Sequence, residues 1–255
     1  MSSISSISNA SYSDYGSFAS GKRINSAADG AAELSIIQKE DSQARGLNAG
    51  AKNIQTAKDM MNVSDAALGS ISDYLQRIRE LAVQASNTAT VTDSDRANMQ
   101  MEVEQLKQGI TDVAKNTSFN TKPLLDGSNP IFNIATDSNG NSTTVNGSNA
   151  TLDALGIADF DLTGNFNIDD IDKAIDNVNS QRSSIGAKTN ALEYAYNYNT
   201  SASLYTIGSK SKLEDLDFAE AISEKKKQET LQEYALFAQK KKSEEEKQKI
   251  NVLFS

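Results

Sequence analysis

The 255-residue sequence contains no cysteine, no histidine and no tryptophan. Without cysteine the chain has no disulfide, no thiol nucleophile and no thiolate metal ligand. Without histidine it lacks the commonest general base and the commonest metal ligand. The remaining chemistry rests on Ser, Thr, Lys, Tyr and carboxylates, and no catalytic constellation stands out among them. The sequence therefore predicts a protein that is not an enzyme and uses no cofactor or metal.

Proline is nearly absent, and the charge is one-sided. Pro123 and Pro130 are the only prolines, so long stretches on either side of the middle are free of helix breakers. The net charge of −9 disfavours nucleic acid, which binds basic faces. No apolar run is long enough for membrane insertion. The first residues do not have the pattern of a secretory signal peptide. We therefore expect either a cytoplasmic protein or export by a route that uses no cleaved signal.

A seven-residue spacing of apolar and small residues runs from about Leu47 to Ala85. It forms two interleaved series, which are Leu47, Ile54, Met61, Leu68, Leu75 and Ala82, and Ala57, Ser64, Ile71, Ile78 and Ala85. This heptad pattern is typical of a coiled-coil helix, and the two series are its seam. A second helical stretch covers roughly Asp95 to Lys115, for which we predict Asp93 or Ser94 as the N-cap.

The middle of the chain has a different character. Gly, Asn, Ser, Thr and Asp dominate from Thr117 to about Phe166, and the Asn139–Gly140 pair predicts a hairpin among two to four short strands. Helical spacing then returns at Ile168, Ile171, Ile175, Val178, Ile185 and Leu192. A single long amphipathic helix cannot bury its own seam. We therefore predict that residues 47–85 and 168–204 pack lengthwise, with residues 95–115 antiparallel to the first stretch.

Several separated motifs resemble those of the bacterial flagellin family. FASGKRINSAADGAAELSI (18–36) is similar to the family's N-terminal signature, and LQRIRELAVQASN (75–87) to its most recognisable helix. FNTKPLLDGS (119–128) resembles a family turn, and VNSQRSSIGAKTNALEYAYNYN (178–199) resembles its C-terminal helix. Their number and their order along the chain carry the resemblance, because no single motif would suffice.

The resemblance implies a mainly α fold. We expect a long antiparallel helical coiled-coil bundle formed by the N- and C-terminal arms, with a small β-rich insert in the middle. The expected organisation is residues 1–45 as the N-terminal helical arm of an inner, tube-forming domain, 46–116 as the N-terminal half of the coiled-coil core domain, 117–166 as a short variable insert, 167–210 as the C-terminal half of the core domain, and 211–255 as the C-terminal helical arm of the inner domain.

The resemblance also implies a function and a set of partners. It implies a structural subunit of the flagellar filament, exported by the flagellar type III apparatus, located outside the cell and polymerised for motility through coiled-coil and terminal-helix packing. The implied partners are further copies or other flagellins in a mixed filament. They also include a flagellin export chaperone at the C-terminal helices, flagellar cap and hook-associated proteins, and a host Toll-like flagellin receptor.

For that receptor, the resemblance implies Arg77, Leu81 and Glu102 as contact residues. Arg77 and Leu81 lie one helical turn apart, so both can face one partner. The guanidinium offers several hydrogen bonds, and leucine offers an apolar anchor. The plainer alternative is a solvated arginine, a leucine at the edge of the core and a surface glutamate.

Two other functions remain open at this point. A hook–filament junction protein shares both terminal signatures. A flagellin-like secreted protein that polymerises poorly and acts as a ligand for host receptors would account for the charge runs at 225–227, 240–242 and 244–246, which are atypical of the family. Three consecutive helical residues sweep most of the circumference, so these charges cannot all face one solvated lumen. We therefore expect the pure protein to assemble poorly, and better with another flagellin.

Overall fold

A computed structural model describes residues 16–128 and 131–253, with side chains described up to residue 248. The chain divides into two units. The first, called the core unit, is Ala44–Ser203, and the second contains the described residues up to Gln43 and from Leu204 onward. The elements are α1 (Ala31–Ala85), α2 (Asp93–Asn116), β1 (Ser118–Phe119), β2 (Lys122–Pro123), β3 (Ile131–Ala135), β4 (Ser142–Asn146), α3 (Leu152–Leu155), α4 (Ile168–Glu214) and α5 (Phe218–Leu253).

Within the core unit, α1 and α4 run antiparallel along each other. Three ion pairs join the two helices, namely Lys58–Glu193, Asp65–Arg182 and Arg79–Asp172. The partners on α4 fall from residue 193 to residue 172 as those on α1 rise from 58 to 79, which defines an antiparallel pair. The predicted lengthwise packing of the two heptad arms is confirmed, and so is the mainly α fold with a small central β region.

The heptad seam supplies the core. All members of both series on α1 are at most 9% exposed. On α4, Ile171, Val178, Ile185 and Leu192 are buried, while Ile168 and Ile175 are half-buried. Burying one Leu or Ile contributes about 1.5–3 kcal/mol, whereas an exposed ion pair contributes about 0–1 kcal/mol. The seam therefore holds the helices together, and the ion pairs mainly favour one register.

Helix α2 folds back antiparallel to α1, as predicted. Arg77 pairs with Glu102, and three residues earlier Tyr74 packs its ring against Gly109. Val103, Ile110 and Ala114 are buried on the face of α2 that joins the core.

The predicted N-cap of α2 is wrong, because Asp93 and Ser94 already lie inside the helix. Thr92 is the N-cap. Its Oγ1 accepts a hydrogen bond from the Asp95 backbone N–H at 3.2 Å, and the Asp95 carboxylate accepts one from the Thr92 backbone N–H at 2.9 Å. This capping box satisfies two backbone donors reciprocally, which fixes the start of the helix at Thr92.

The insert between α2 and α4 contains two antiparallel hairpins, of which the sequence predicted the one at Asn139–Gly140, and its four strands fall within the predicted two to four. β1 pairs with β2 through a turn at Asn120 and Thr121, which both have positive φ, and β3 pairs with β4 from Ile131↔Asn146 to Ala135↔Ser142. The insert also contributes side chains to the core, namely Leu124, Leu125, Phe132, Val145, Ala150, Leu155, Ile157, Phe160 and Leu162. It is therefore packed onto the helices and is more than a solvated connection.

In the second unit, the segment before α1 pairs with the junction between α4 and α5. The Arg23 backbone N–H donates to the Glu214 carbonyl oxygen at 2.7 Å, and the Leu216 N–H donates to the Gly21 oxygen at 3.0 Å. Helix α5 begins just after Asp217, whose Oδ1 accepts from the backbone N–H groups of Ala219 and Glu220. Every described side chain of α5 from residue 229 to residue 248 is exposed.

Candidate partner-binding site

The predicted receptor-contact residues lie on α1 and α2, which pack side by side in antiparallel orientation. Arg77 and Leu81 are on α1, and Glu102 is on α2. The Arg77 Nε donates to Glu102 Oε1 at 2.7 Å, and its Nη1 donates to Glu80 Oε2 at 3.0 Å. One guanidinium therefore bridges two carboxylates on neighbouring helices.

This bridge faces solvent. The Arg77 side chain is 48% exposed, and that of Glu102 is 44% exposed. The hydrogen bond to Glu102, followed by that to Glu80, raises the pKa of the Arg77 guanidinium above its ordinary value. A paired but accessible guanidinium can exchange one carboxylate for a partner's acceptor while keeping the other.

Leu81 faces the other way. Only 3% of it is exposed, and it belongs to the same hydrophobic cluster as Ile78 and Ala82. The structure thus brings Arg77 and Glu102 together at the surface and places Leu81 inside. The Leu81 side chain therefore packs within the core and does not reach the surface of the chain.

Sequence reasoning missed Glu80 as the third member of this cluster. The sequence does indicate this contact, because residues three apart on a helix are neighbours and Glu80 follows Arg77 at that spacing. The nearby Arg79 has the same exposure as Arg77 but pairs with Asp172 of α4 at 2.6 Å.

No group of three or more potential ligands among the described residues is arranged to hold a metal ion. In the described ranges, no helix is both long enough and apolar enough to cross a membrane. The fold defines a mainly α-helical protein whose core is built from both halves of the chain.

Comparison with known proteins gives the family. Residues 1–130 match the bacterial flagellin N-terminal helical region, and residues 168–250 match the bacterial flagellin C-terminal helical region. The flagellin of Bacillus subtilis (strain 168) is 32% identical over 87% of this chain and 85% of its own length. The flagellin of Listeria monocytogenes is 34% identical over 81% of this chain and 79% of its own length. The flagellar filament 33 kDa core protein of Treponema phagedenis is 32% identical over 80% of this chain and 78% of its own length.

Solved structures agree. The crystal structure of Bacillus cereus flagellin matches with a TM-score of 0.52 and 30% identity over 58% of this chain and 88% of that one. A putative flagellar hook-associated protein from Vibrio parahaemolyticus has a TM-score of 0.62 at 14% identity, over 73% of this chain and 100% of that one, which shows a shared fold alone. The chain belongs to the bacterial flagellin family, and it is a structural subunit of the flagellar filament. The family is structural and non-enzymatic, and its filament lies outside the cell.

Proposed function

We propose that this chain is exported by the flagellar type III apparatus and enters the filament through its terminal segments, residues 1–45 and 211–255. The observation that carries the proposal is the exposure of α5. Its large apolar side chains at Leu231, Tyr234, Leu236 and Phe237 are 56–69% exposed. A helix gains most of its stability from packing, so such a helix gains most when neighbouring subunits cover it.

The same exposed side chains need cover before assembly. An export chaperone that binds the C-terminal helices would shield the apolar positions of α5 and prevent premature association. Flagellar cap and hook-associated proteins are the further partners proposed for the two ends of the filament. Head-to-tail contacts that do not close into a ring then extend as an open helical assembly.

Charge runs on α5 make assembly depend on salt. Within the helix, Lys227 pairs with Glu224 at 3.2 Å and Lys225 approaches Glu229 at 4.0 Å. A buried charge without a partner is costly, so a packed wall would need similar Lys–Glu pairs between subunits. Salt screens partly exposed pairs of this kind.

Sedimentation and negative-stain microscopy across a salt series test this proposal. The pure protein should form few filaments, and a second flagellin should increase their number at each salt concentration. Long, regular filaments from the pure protein at both low and high salt would overturn the proposal that the charge runs restrict assembly. Failure to enter filaments even with a second flagellin would overturn the proposed role of the terminal segments.

A second proposed role is recognition by a host Toll-like flagellin receptor. Its support is the accessible Arg77–Glu102 bridge, with Glu80 as an additional acceptor. Arginine is enriched among residues that dominate binding energies, and a guanidinium already positioned by two carboxylates loses little freedom on binding.

A further inference from the structure

The residues of α4 that are exposed between Ser183 and Ser201 are all uncharged, and most of them lie on one outward face. We call it the tyrosine face, and its exposed members are Ser183, Gly186, Ala187, Asn190, Ala191, Tyr194, Asn197, Tyr198 and Ser201. Of the two charged residues in this interval, Lys188 lies off this face, and Glu193 lies at its edge, where it accepts a hydrogen bond from the Asn197 side chain at 3.5 Å. Glu193 is paired with Lys58 of α1. A neutral face of this length stands out in a chain that is 23% charged.

Two tyrosines dominate the face without a role inside the subunit. Tyr194 is 78% exposed, and Tyr198, one turn later, is 69% exposed. Tyr196 lies between them in sequence but is half-buried, and the Lys58 ammonium sits 5.8 Å from its ring centroid. The fold thus accounts for Tyr196, and the rings of Tyr194 and Tyr198 are left in solvent.

The composition of this face is that of an interface centre. Interfaces are enriched in tyrosine and depleted of charge at their centres, because an aromatic ring buries a large area and its hydroxyl still forms a hydrogen bond. The small residues around Tyr194, at Ala187, Asn190 and Ala191, leave room for a second helix to approach.

The charge of the core unit indicates which partner fits. This unit carries 19 Asp and Glu residues against 12 Lys and Arg residues. Two copies therefore carry net charge of the same sign, which disfavours their contact. The tyrosine face is a place where another equally acidic copy can approach without setting charge against charge.

We propose that Tyr194 and Tyr198 form the centre of a contact between the core units of neighbouring copies of this chain. The proposal rests on the proposed function, since it presumes a filament in which copies are neighbours. It goes further by placing one lateral contact on α4 of the core unit, away from the terminal segments.

Photocrosslinking of the full chain tests the contact directly. p-Benzoylphenylalanine, which resembles tyrosine in shape, replaces Tyr198 in one variant and the exposed Met101 of α2 in a control variant. Assembly is induced by seeding, alone and with a second flagellin, before irradiation. Mass spectrometry should identify crosslinks from position 198 to peptides of a core unit of another copy, and few from position 101.

Charge insertion gives an independent measurement. The double variant Tyr194→Lys with Tyr198→Lys is compared with Met101→Lys with Ile131→Lys, because Met101 and Ile131 are also exposed, at 62% and 60%. Both variants should keep the wild-type circular dichroism and Tm. The tyrosine variant should raise the concentration needed for assembly at least about tenfold, as loss of interface anchors does, and the control should not.

The outcomes separate the two proposals. If the wild type enters filaments, and position 198 crosslinks only within its own chain or both lysine variants assemble equally, the tyrosine contact is overturned and the proposed function stands. If the wild type enters no filament under any seeding condition, the proposed function fails and this inference fails with it. Intermolecular crosslinks at 198, together with selective loss of assembly in the tyrosine variant, support the contact.

Discussion

Gly50 of α1 lies directly beneath Thr136, the residue that follows β3. A Cβ atom at position 50 would come within 2.6 Å of the Thr136 carbonyl oxygen, which also accepts a hydrogen bond from the Asn199 side chain of α4. One turn earlier on α1, a Cβ at Gly46 would lie 2.7 Å from the Ser138 Cα. The β3–β4 hairpin therefore rests on a strip of bare helix backbone.

Gly50→Ala should destabilise the core unit by about 1–3 kcal/mol, because the atoms in the way are backbone and the hairpin must move. Gly69→Ala is the matched control, since the nearest atoms there are 4.0 Å away on the Arg182 side chain. That change should stabilise α1 by about 0.5–1 kcal/mol through lower backbone entropy in the unfolded chain. Urea unfolding measures both, and equal stability of the two variants would contradict the close contact.

The capping box at the start of α2 should make stability depend on acid. The pKa of Asp95 is lowered, chiefly by the hydrogen bond from the Thr92 hydroxyl and then by that from the Thr92 backbone N–H. A carboxylate with a lowered folded pKa contributes stability above its unfolded pKa of about 3.9, and this stability is lost as the pH falls through the folded value.

Thr92→Ala should therefore cost about 0.5–2 kcal/mol at pH 7. The difference from wild type should narrow as the pH falls below the unfolded pKa of about 3.9 and through the lowered folded pKa, because protonation of Asp95 weakens the box in wild type as well. Ser94→Ala, an exposed change in the same turn, is the control and should stay within about 0.5 kcal/mol of wild type. Urea midpoints at pH 7 and pH 3 measure the effect, and a gap that widens in acid would count against the capping box.

The heptad spacing of the sequence predicted which residues of α1 form the core. Each member of the α1 seam is buried because the heptad period itself places those side chains on one stripe. The insert was only partly predictable. Its Asn139–Gly140 turn is local, and the hairpin follows from it. The burial of Phe132 and Val145 depends on where the hairpin lands on α1, and no local pattern in the insert states that position.

The cluster around Arg77 was also only partly predictable from local sequence patterns. The contact between Arg77 and Glu102 joins residues 25 apart, and it exists because α2 folds back along α1. The packing of α2 against α1 also explains why Leu81 is buried, although it belongs to neither heptad series of the α1 seam. A third helix widens the stripe that α1 buries, so a position that a two-helix pattern leaves at the edge becomes part of the core.

Receptor recognition can be tested with a matched pair of arginines. Arg77 and Arg79 are both 48% exposed and both paired with a carboxylate. Arg77→Ala should keep the wild-type Tm within a few degrees and weaken receptor binding at least about tenfold, as loss of a binding anchor does. Arg79→Ala should change binding little. Surface plasmon resonance with the receptor ectodomain measures both, and equal effects of the two variants would contradict the assignment.

Leu81→Asp tests the buried member of the predicted set. A charge in the core without a partner is strongly unfavourable, so Tm and receptor binding should fall together. Circular dichroism melting and a signalling assay on the same preparation make the comparison. A Leu81 variant that folds normally and signals like wild type would remove Leu81 from both the core and the site.

Lys107 of α2 holds the segment that leads into α4. It is only 7% exposed, its Nζ donates to the Phe160 carbonyl oxygen at 3.3 Å, and it pairs with Glu104 at 3.1 Å. Two turns earlier on the same helix, the Gln100 side chain accepts a hydrogen bond from the Leu162 backbone N–H at 2.8 Å. Two polar side chains of α2 therefore fix the backbone of residues 160–162 against the core.

Lys107→Met removes the ammonium and keeps most of the aliphatic stem, so it separates the hydrogen bond from the packing. The Phe160 carbonyl oxygen is then left without its partner, at a cost of about 1–3 kcal/mol. Because the bond is local, amide hydrogen exchange should accelerate most in residues 156–167 and least in the α1–α4 seam. Lys115→Met, an exposed change on the same helix, should alter neither the stability nor the hydrogen exchange of residues 156–167. Uniform acceleration across the core unit would show that Lys107 supports the whole helical core, and unchanged exchange in residues 156–167 would show that it does not hold this segment.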